Sequence, residues 1–147
     1  MSYIDSNLLP DEKVVGRARL HKIVFLWPVM LTVLSFAFDA GGTNGGSVGG
    51  FFFLLAVISG VVAALRYFSS EFAVTDKRVI IKVGVLRRRS LELLRSKIEG
   101  IAVDQSLLGR MLGYGNIAVT GTGGSKERFK NVAGPFEFRR AVQGAVG

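Results

Sequence analysis

The sequence predicts a membrane protein in which a two-helix transmembrane hairpin precedes a small, mainly β domain that ends in a helix. The 147 residues are 49% hydrophobic with a mean hydropathy of +0.39, yet the formal net charge is +8. Charge and apolar residues are segregated, because residues 1–22 carry +1, residues 23–65 carry −1 and residues 66–147 carry +8. From residue 71 onward, short β-branched runs and turn segments replace the long apolar runs. These three observations define the predicted class.

The composition excludes several kinds of site. The chain has no cysteine, which excludes disulfides, thiol nucleophiles and Cys-based zinc or iron–sulfur sites. Its single histidine excludes multi-His metal sites and argues against a His-based catalytic triad. Asp5, Asp11 and Glu12 do not have the spacing of a cation-binding loop. The sequence therefore predicts no catalytic residue, no cofactor, no metal site and no enzymatic activity.

Two uncharged runs predict the transmembrane helices. After a cytoplasmic N-terminal segment, residues 1–22, the first predicted span covers residues 23–40, about 27 Å of helix. This length is close to the ~30 Å hydrocarbon core of a bilayer. The other predicted span, residues 48–68, begins with a second uncharged run. Neither run has the polar stripe of a soluble core helix, and three acidic residues before the first run argue against a cleaved signal peptide ending near Ala37.

The loop between the spans, residues 41–47, is rich in glycine and makes the two helices antiparallel neighbours. Gly49, Gly50 and Gly60 in the second span would permit close helix approach. Basic residues flank only the other ends of the spans: Arg17, Arg19, Lys22, Arg66, Lys77 and Arg78. This asymmetry predicts cytoplasmic termini and a periplasmic loop. The spans carry no ionisable residue away from their edges, which argues against a transporter or channel built from them alone.

Residues 69–147 are predicted to form a cytoplasmic, mainly β domain. Runs with β-branched residues or period-two alternation predict strands at residues 72–74, 79–83, 86–93, 98–103, 117–120 and 128–130. Glycines bound a short helical turn at residues 107–113. From Pro135, apolar residues recur with the spacing of an amphipathic helix, at Phe138, Ala141, Val142 and Ala145. This terminal helix is expected to cover an open edge of the sheet.

Three sequence blocks in this domain resemble the bacterial pleckstrin-homology-like (PH-like) family. Residues 71–80, EFAVTDKRVI, are similar to its opening, and residues 96–99 and 107–115 are similar to its second and third blocks. The matching motif positions are Thr75, Asp76, Lys77, Arg78, Lys97, Ile98, Leu108, Gly109, Arg110, Gly113 and Gly115. The resemblance implies a partly open barrel of about seven strands closed by a C-terminal helix, in a bacterial inner-membrane protein that self-associates. It implies neither an enzyme nor a settled ligand.

A group of basic residues is the candidate lipid or anion contact. Its members are Lys82, Arg87, Arg88, Arg89, Arg95 and Lys97. Each Lys or Arg near an anionic leaflet gains about 1 kcal/mol, so three of them would strengthen docking roughly a hundredfold. The alternative is an ordinary solvated strand face, since alternation places Arg88 opposite Arg87 and Arg89.

Residues 75–78 have two interpretations, whereas the lone histidine has one. Residues 75–78 could form a clamp for a phosphate or a headgroup. The favoured interpretation is a tight turn that the Asp76 side chain caps, with Lys77 and Arg78 solvated. His21 lies next to Lys22 at the predicted membrane edge, where an interfacial role is expected.

Two further motif matches are rejected. Residues 113–118 fit a loose dinucleotide-binding pattern, but β-branched residues follow where that pattern requires a helix. Ser96 and Glu99 have the spacing of a capping box, but a strand-like segment follows them. Neither match is expected to carry a function.

The predicted function is that of a membrane-anchored interaction or scaffolding module. Its expected partners are the lipid bilayer and either a second copy of the chain or another membrane protein. One alternative is binding or sensing of anionic lipid headgroups through the basic β domain, and another is an accessory subunit of a membrane enzyme or transport complex. Few aromatic residues lie among the basic ones, so nucleic acid is not an expected partner.

Overall fold

The computed structural model describes residues 3–41, 46–84 and 89–146. Two compact units are present: Met1–His21 with Ser69–Gly147 (the β unit), and Lys22–Phe68 (the helical hairpin). The helices are α1 (Tyr3–Ser6), α2 (Leu26–Ala40), α3 (Gly46–Ser69), α4 (Leu107–Leu112) and α5 (Pro135–Val146). The strands are β1 (Val14–Arg19), β2 (Glu71–Thr75), β3 (Arg78–Val83), β4 (Arg89–Leu94), β5 (Ile98–Asp104), β6 (Tyr114–Gly121) and β7 (Lys126–Ala133).

The helical hairpin consists of two apolar helices at the predicted spans. The first, Lys22–Ala40, includes a 3-10 turn before α2, and the second is Ser47–Ser69 within α3. Both are long and apolar enough to cross a membrane, and few of their residues are buried. Most of the predicted loop between them, residues 42–45, lies outside the described residues.

Contacts between α2 and α3 pair the C-terminal part of one helix with the N-terminal part of the other. The Ser35 hydroxyl donates a hydrogen bond to the Gly49 carbonyl oxygen at 2.8 Å. The Phe38 and Phe52 rings stack with centroids 5.4 Å apart. A Cβ at Gly49 would overlap the Asp39 carboxylate, so this glycine permits the close approach that the sequence predicts.

The other two glycines of the second span behave differently from Gly49. A Cβ at Gly60 would lie 3.8 Å from the Pro28 Cβ, an ordinary contact, and at Gly50 it would meet nothing within 4 Å. Of the three glycines, only Gly49 therefore lies where an added Cβ would overlap an atom of the other helix.

The β unit contains two antiparallel sheets. The first has the strand order β1-β2-β3-β4 and the second has the order β5-β6-β7. A single β-bridge between Leu20, just after β1, and Val132 in β7 connects the two sheets along one side. The 3-10 turn Arg95–Lys97 leads from β4 into β5. The predicted mainly β domain with a C-terminal helix is confirmed.

Strand β1 is the element that the sequence pattern does not predict. Residues 14–19 lie before the helical hairpin, yet they pair with β2, for example Arg17 with Ala73 and Arg19 with Glu71. Helix α5 packs closely on this strand, since a Cβ at Gly16 would lie 2.7 Å from the Ala141 Cβ. The N-terminal segment is thus part of the β unit, which is assembled from both sides of the hairpin.

The core lies between the two sheets and α5. Phe72 of β2 makes edge-to-face contacts with Phe129 of β7 and Phe138 of α5, with centroids 5.8 and 6.3 Å apart. Val142 follows Phe138 one turn later on α5 and is also buried, as the helical spacing predicts. Hydrophobic burial on this scale stabilises by about 1.5–3 kcal/mol for each large side chain.

The outer faces of the two sheets differ. On the first sheet, Ala73 and Ile80 point outward and are buried beneath Ile4 of α1. On the second sheet, burial alternates strictly along β6, with inward residues buried and outward residues partly exposed. The outer face of the second sheet is therefore partly exposed along β6.

Candidate functional site

The first motif block forms a tight turn between β2 and β3. The Thr75 hydroxyl accepts hydrogen bonds from the backbone N–H groups of Lys77 and Arg78, at 3.3 and 3.0 Å. The Asp76 carboxylate instead accepts a bond from the backbone N–H of Lys13 at 3.0 Å. The prediction that Asp76 caps this turn is therefore wrong, because the Thr75 hydroxyl reaches both donors and Asp76 is engaged by the N-terminal segment.

The predicted solvation of Arg78 is also wrong. Its Nε lies 2.9 Å from the Glu12 carboxylate, and a terminal nitrogen lies 2.6 Å from the Glu92 carboxylate. Glu12 is fully buried at the side chain and also accepts bonds from the Thr75 hydroxyl and the Leu9 N–H, both at 2.7 Å. Burial alone would raise the pKa of Glu12, but these hydrogen bonds and the Arg78 charge lower it to about 2.

The first block therefore fastens the N-terminal segment to the first sheet. Arg78 has its charge neutralised by Glu12 and Glu92 and is not available to a headgroup. Lys77 is exposed, and its ammonium donates to the Pro10 carbonyl oxygen at 3.2 Å. The geometry assigns this block a structural role.

Two members of the predicted anion contact have intramolecular partners. The Lys82 ammonium lies over the Tyr3 ring, 4.0 Å from its centroid, in a cation–π contact. The Arg95 guanidinium donates a hydrogen bond to the Asp76 carbonyl oxygen. These interactions tie α1 and the 3-10 turn to the first sheet.

The other members of that group are not brought together. Arg89 and Lys97 are exposed, but Arg89 begins β4 and Lys97 lies beyond its end. The strand between them, β4, is about 17 Å long. Arg87 and Arg88 lie outside the described residues.

Acidic residues and the histidine of the N-terminal segment also have structural partners. Asp5 forms an exposed ion pair with Arg17 of β1. The His21 ring stacks on Tyr114 with centroids 5.1 Å apart, and the backbone N–H of His21 donates to the Asn131 carbonyl oxygen at 2.7 Å. Across the described ranges, no group of three or more His, Asp or Glu side chains could hold a metal ion.

The third motif block builds a short helix that is held at both ends. The Ser106 hydroxyl caps α4 by accepting a bond from the Gly109 N–H at 3.1 Å. The Gln105 side-chain amide donates to the carbonyl oxygens of Gly109 and Tyr114, at 3.0 and 2.9 Å. Gly113 ends the helix in a left-handed conformation, with φ of 77°, and its N–H bonds to the Gly109 carbonyl oxygen.

Close packing explains two more glycines of this block. A Cβ at Gly109 would lie 2.5 Å from the Tyr114 carbonyl oxygen, and one at Gly115 would lie 3.0 Å from the Asp104 carbonyl oxygen. Gly113 ends a helix and Gly115 lies in a strand, which is the reverse of a dinucleotide-binding turn. The second block is simpler, since Ile98 begins β5 and packs against the core.

Helix α4 presents four large apolar side chains to solvent. The exposed fractions are 79% for Leu107, 63% for Leu108, 82% for Met111 and 51% for Leu112. They occupy four of the six positions of α4, and Arg110 is the one charged residue. We refer to these four side chains as the α4 surface. The sequence predicts this helical turn but not its exposure, which depends on the buried Gly109 facing the sheet.

Comparison with known proteins assigns the chain to a family. The Bacterial PH domain family matches residues 24–146, which span all of α2 and α3 and the β unit from β2 onward. No curated protein and no solved structure matches the chain. The three motif blocks fall within the matched region in the predicted order. The chain belongs to the bacterial PH domain family.

Proposed function

We propose that this protein is a non-enzymatic, membrane-anchored interaction module whose PH-like β unit self-associates through the α4 surface. The observation that carries the proposal is the exposure of Leu107, Leu108, Met111 and Leu112 on a helix that is capped and hydrogen-bonded at both ends. Exposed apolar clusters of this kind are typical of protein contact surfaces. Because α4 is held at both ends, less conformational entropy is lost when a partner binds to it.

The helical hairpin supports anchoring in a membrane. Its exposed side chains are large and apolar, such as Phe51, Leu54 and Ile58 of α3, each more than half exposed. A single residue separates the end of α3 from the start of β2, which ties the β unit to the anchor. The Lys and Arg distribution favours cytoplasmic termini at the bacterial inner membrane. A reporter fused after residue 147 that is active only in the periplasm would contradict this orientation.

A second copy of the chain is the proposed occupant of the α4 surface. An apolar patch is complementary to itself when two copies meet about a two-fold axis. Four side chains cover less than the ~800 Å² per partner of a standard interface. The contact is therefore expected to be weak in solution and to be strengthened when both copies are confined to one bilayer.

Native mass spectrometry of the full chain released from lipid nanodiscs, in which two copies share one bilayer, tests self-association. We expect a dimer for the wild type and a monomer for the Leu108→Gln/Met111→Gln double variant. Losing burial of two such side chains costs at least about 3 kcal/mol, or roughly a hundredfold in affinity. The matched control is Leu94→Gln on β4, which is 51% exposed outside the α4 surface and should leave the dimer intact. A monomeric wild type, or equal loss in the control, would contradict the proposal.

The charge of the chain favours a second candidate, binding of anionic lipid headgroups by the β unit. Arg89 and Lys97 are exposed and lie outside the α4 surface. Cosedimentation of the reconstituted chain with vesicles should then increase with the anionic lipid content. The third candidate, an accessory subunit, predicts instead that crosslinking in native membranes captures a different membrane protein.

A further inference from the structure

The outer face of the second sheet carries a row of basic residues that the motifs and the proposed self-association do not use. Lys126, Arg128 and Lys130 are exposed at alternate positions of β7, with the buried Phe129 pointing to the opposite side. Successive members of the row are about 7 Å apart along the strand. None of the three forms an ion pair with another residue in the described part of the chain.

Short side chains on the neighbouring strands form a floor beside this row. Ala118 of β6 lies opposite Arg128, Thr120 lies opposite Lys126, and Ala102 of β5 lies opposite Ala118. The longer basic side chains rise above this floor and border a groove with a cavity volume of about 240 Å³. This volume is below the ~300–1,000 Å³ of pockets for drug-sized ligands. The groove therefore suits a ligand the size of a headgroup.

One acidic residue, Asp104, and one uncharged polar residue, Asn116, lie at one end of the groove. Asp104 of β5 and Asn116 of β6 are cross-strand partners and both line the groove beside Lys130. The backbone N–H of Asn131 donates to the Asn116 Oδ1 at 3.3 Å, which leaves the Asn116 Nδ2 as a donor toward a ligand. The Asp104 carboxylate can only accept hydrogen bonds when ionised, so it matches a hydroxyl group.

The charge and access of the groove both favour an anion. Three basic side chains and one carboxylate line the groove, so its net charge is +2. Arg78, by comparison, has its charge neutralised by the buried Glu12 carboxylate. The corresponding face of the first sheet is covered by Ile4 of α1, whereas the basic residues that border this groove are exposed.

We propose that this groove binds a phosphate group esterified to a polyol. Arg128 presents a planar set of donors between two lysines, which matches the oxygens of a phosphate. Asp104 at the end of the groove accepts a hydrogen bond from a polyol hydroxyl. Two sources share this chemistry: the glycerol phosphate headgroup of a lipid and a free polyol phosphate. The groove has no residue in common with the α4 surface, so the inference stands independently of self-association.

Calorimetric titration of the full chain tests this assignment, with the protein in nanodiscs of phosphatidylcholine and glycerol 3-phosphate as the probe. Loss of one charge-assisted pair should make Arg128→Gln bind roughly tenfold more weakly. The matched control is Arg140→Gln, the same change at an exposed arginine of α5. Helix α5 packs on the core side of the second sheet, opposite the groove, so this change should alter binding less than about twofold. Asp104→Asn should weaken binding of glycerol 3-phosphate but not of inorganic phosphate.

A second arm of the experiment separates the two sources. In nanodiscs containing phosphatidylglycerol, loss of the glycerol 3-phosphate signal by competition identifies the lipid headgroup, and a retained signal identifies a free ligand; either outcome supports the groove. Absence of binding by the wild type, equal loss in Arg140→Gln, or tighter competition by a single-stranded oligonucleotide would overturn it. Unchanged unfolding of Arg128→Gln, together with the same loss in Lys126→Gln/Lys130→Gln, shows that weakened binding does not come from misfolding.

Discussion

The buried ion pair between Glu12 and Arg78 makes the stability of the β unit depend on acid. The folded-state pKa of Glu12 is about 2, against an ordinary value of 4.5, because Arg78, Thr75 and the Leu9 N–H all favour the ionised carboxylate. A lowered folded-state pKa contributes stability above the unfolded-state value, and this stability is lost as the pH falls from 4.5 toward 2. The difference in pKa corresponds to about 3 kcal/mol at neutral pH.

Substituting Glu12→Gln removes the charge and keeps the side-chain shape. We expect the free energy of unfolding at pH 7 to fall by about 3 kcal/mol, because Arg78 loses its buried partner. The assay is urea denaturation of the full chain in detergent at pH 7 and at pH 3, with circular dichroism as the probe of unfolding of the β unit. The wild type should lose stability between these values much more than the variant does.

The control for this prediction is Asp5→Asn, which removes the exposed ion pair with Arg17. Exposed pairs contribute little because water and salt screen them, so this variant should unfold like the wild type. A Glu12→Gln variant as stable as the wild type at pH 7, or with the same loss of stability in acid, would refute the reasoning.

Two further changes test the packing of the β unit. Gly109→Ala should destabilise it by roughly 1–3 kcal/mol and lower its Tm, because the added methyl would lie 2.5 Å from the Tyr114 carbonyl oxygen. In Gly144→Ala the added methyl meets nothing within 4 Å, so this control should instead stabilise α5 by roughly 0.5–1 kcal/mol; two variants that change Tm alike would contradict the packing account. A fragment of residues 70–147 lacks β1 and should not unfold cooperatively, whereas joining residues 1–21 to it through a flexible linker should restore cooperative unfolding in a thermal scan. A cooperative transition in the unlinked fragment would show that β1 is dispensable.

The sequence predicts the elements whose signal is local. The apolar runs of α2 and α3, the β-branched residues of β3 and the helical spacing of Phe138 and Val142 all lie within single elements. Strand β1 escapes prediction because its partner β2 begins more than fifty residues later, on the other side of the hairpin. Its alternation is also weak, since glycine and arginine occupy three of its six positions.

The candidate sites also combine local features that the sequence predicts with long-range contacts that it does not. The glycines and the helical turn around α4 are visible in the sequence, but the exposure of Met111 depends on which side of α4 faces the sheet. The ion pair of Arg78 joins residues 66 positions apart, so local reasoning assigns Arg78 to solvent. The groove beside Arg128 is defined by cross-strand neighbours from β5 and β6, which only the register reveals.

The central claim is that the α4 surface contacts a second copy of the chain within the membrane. Because the chain contains no cysteine, a Met111→Cys variant carries a single thiol at the centre of this surface. Treatment of native membranes with a short bifunctional maleimide should yield a crosslinked dimer of this variant. The Leu94→Cys variant, with its thiol on β4, should remain largely monomeric under the same conditions. Equal crosslinking of the two variants, or none at Met111→Cys, would contradict the account.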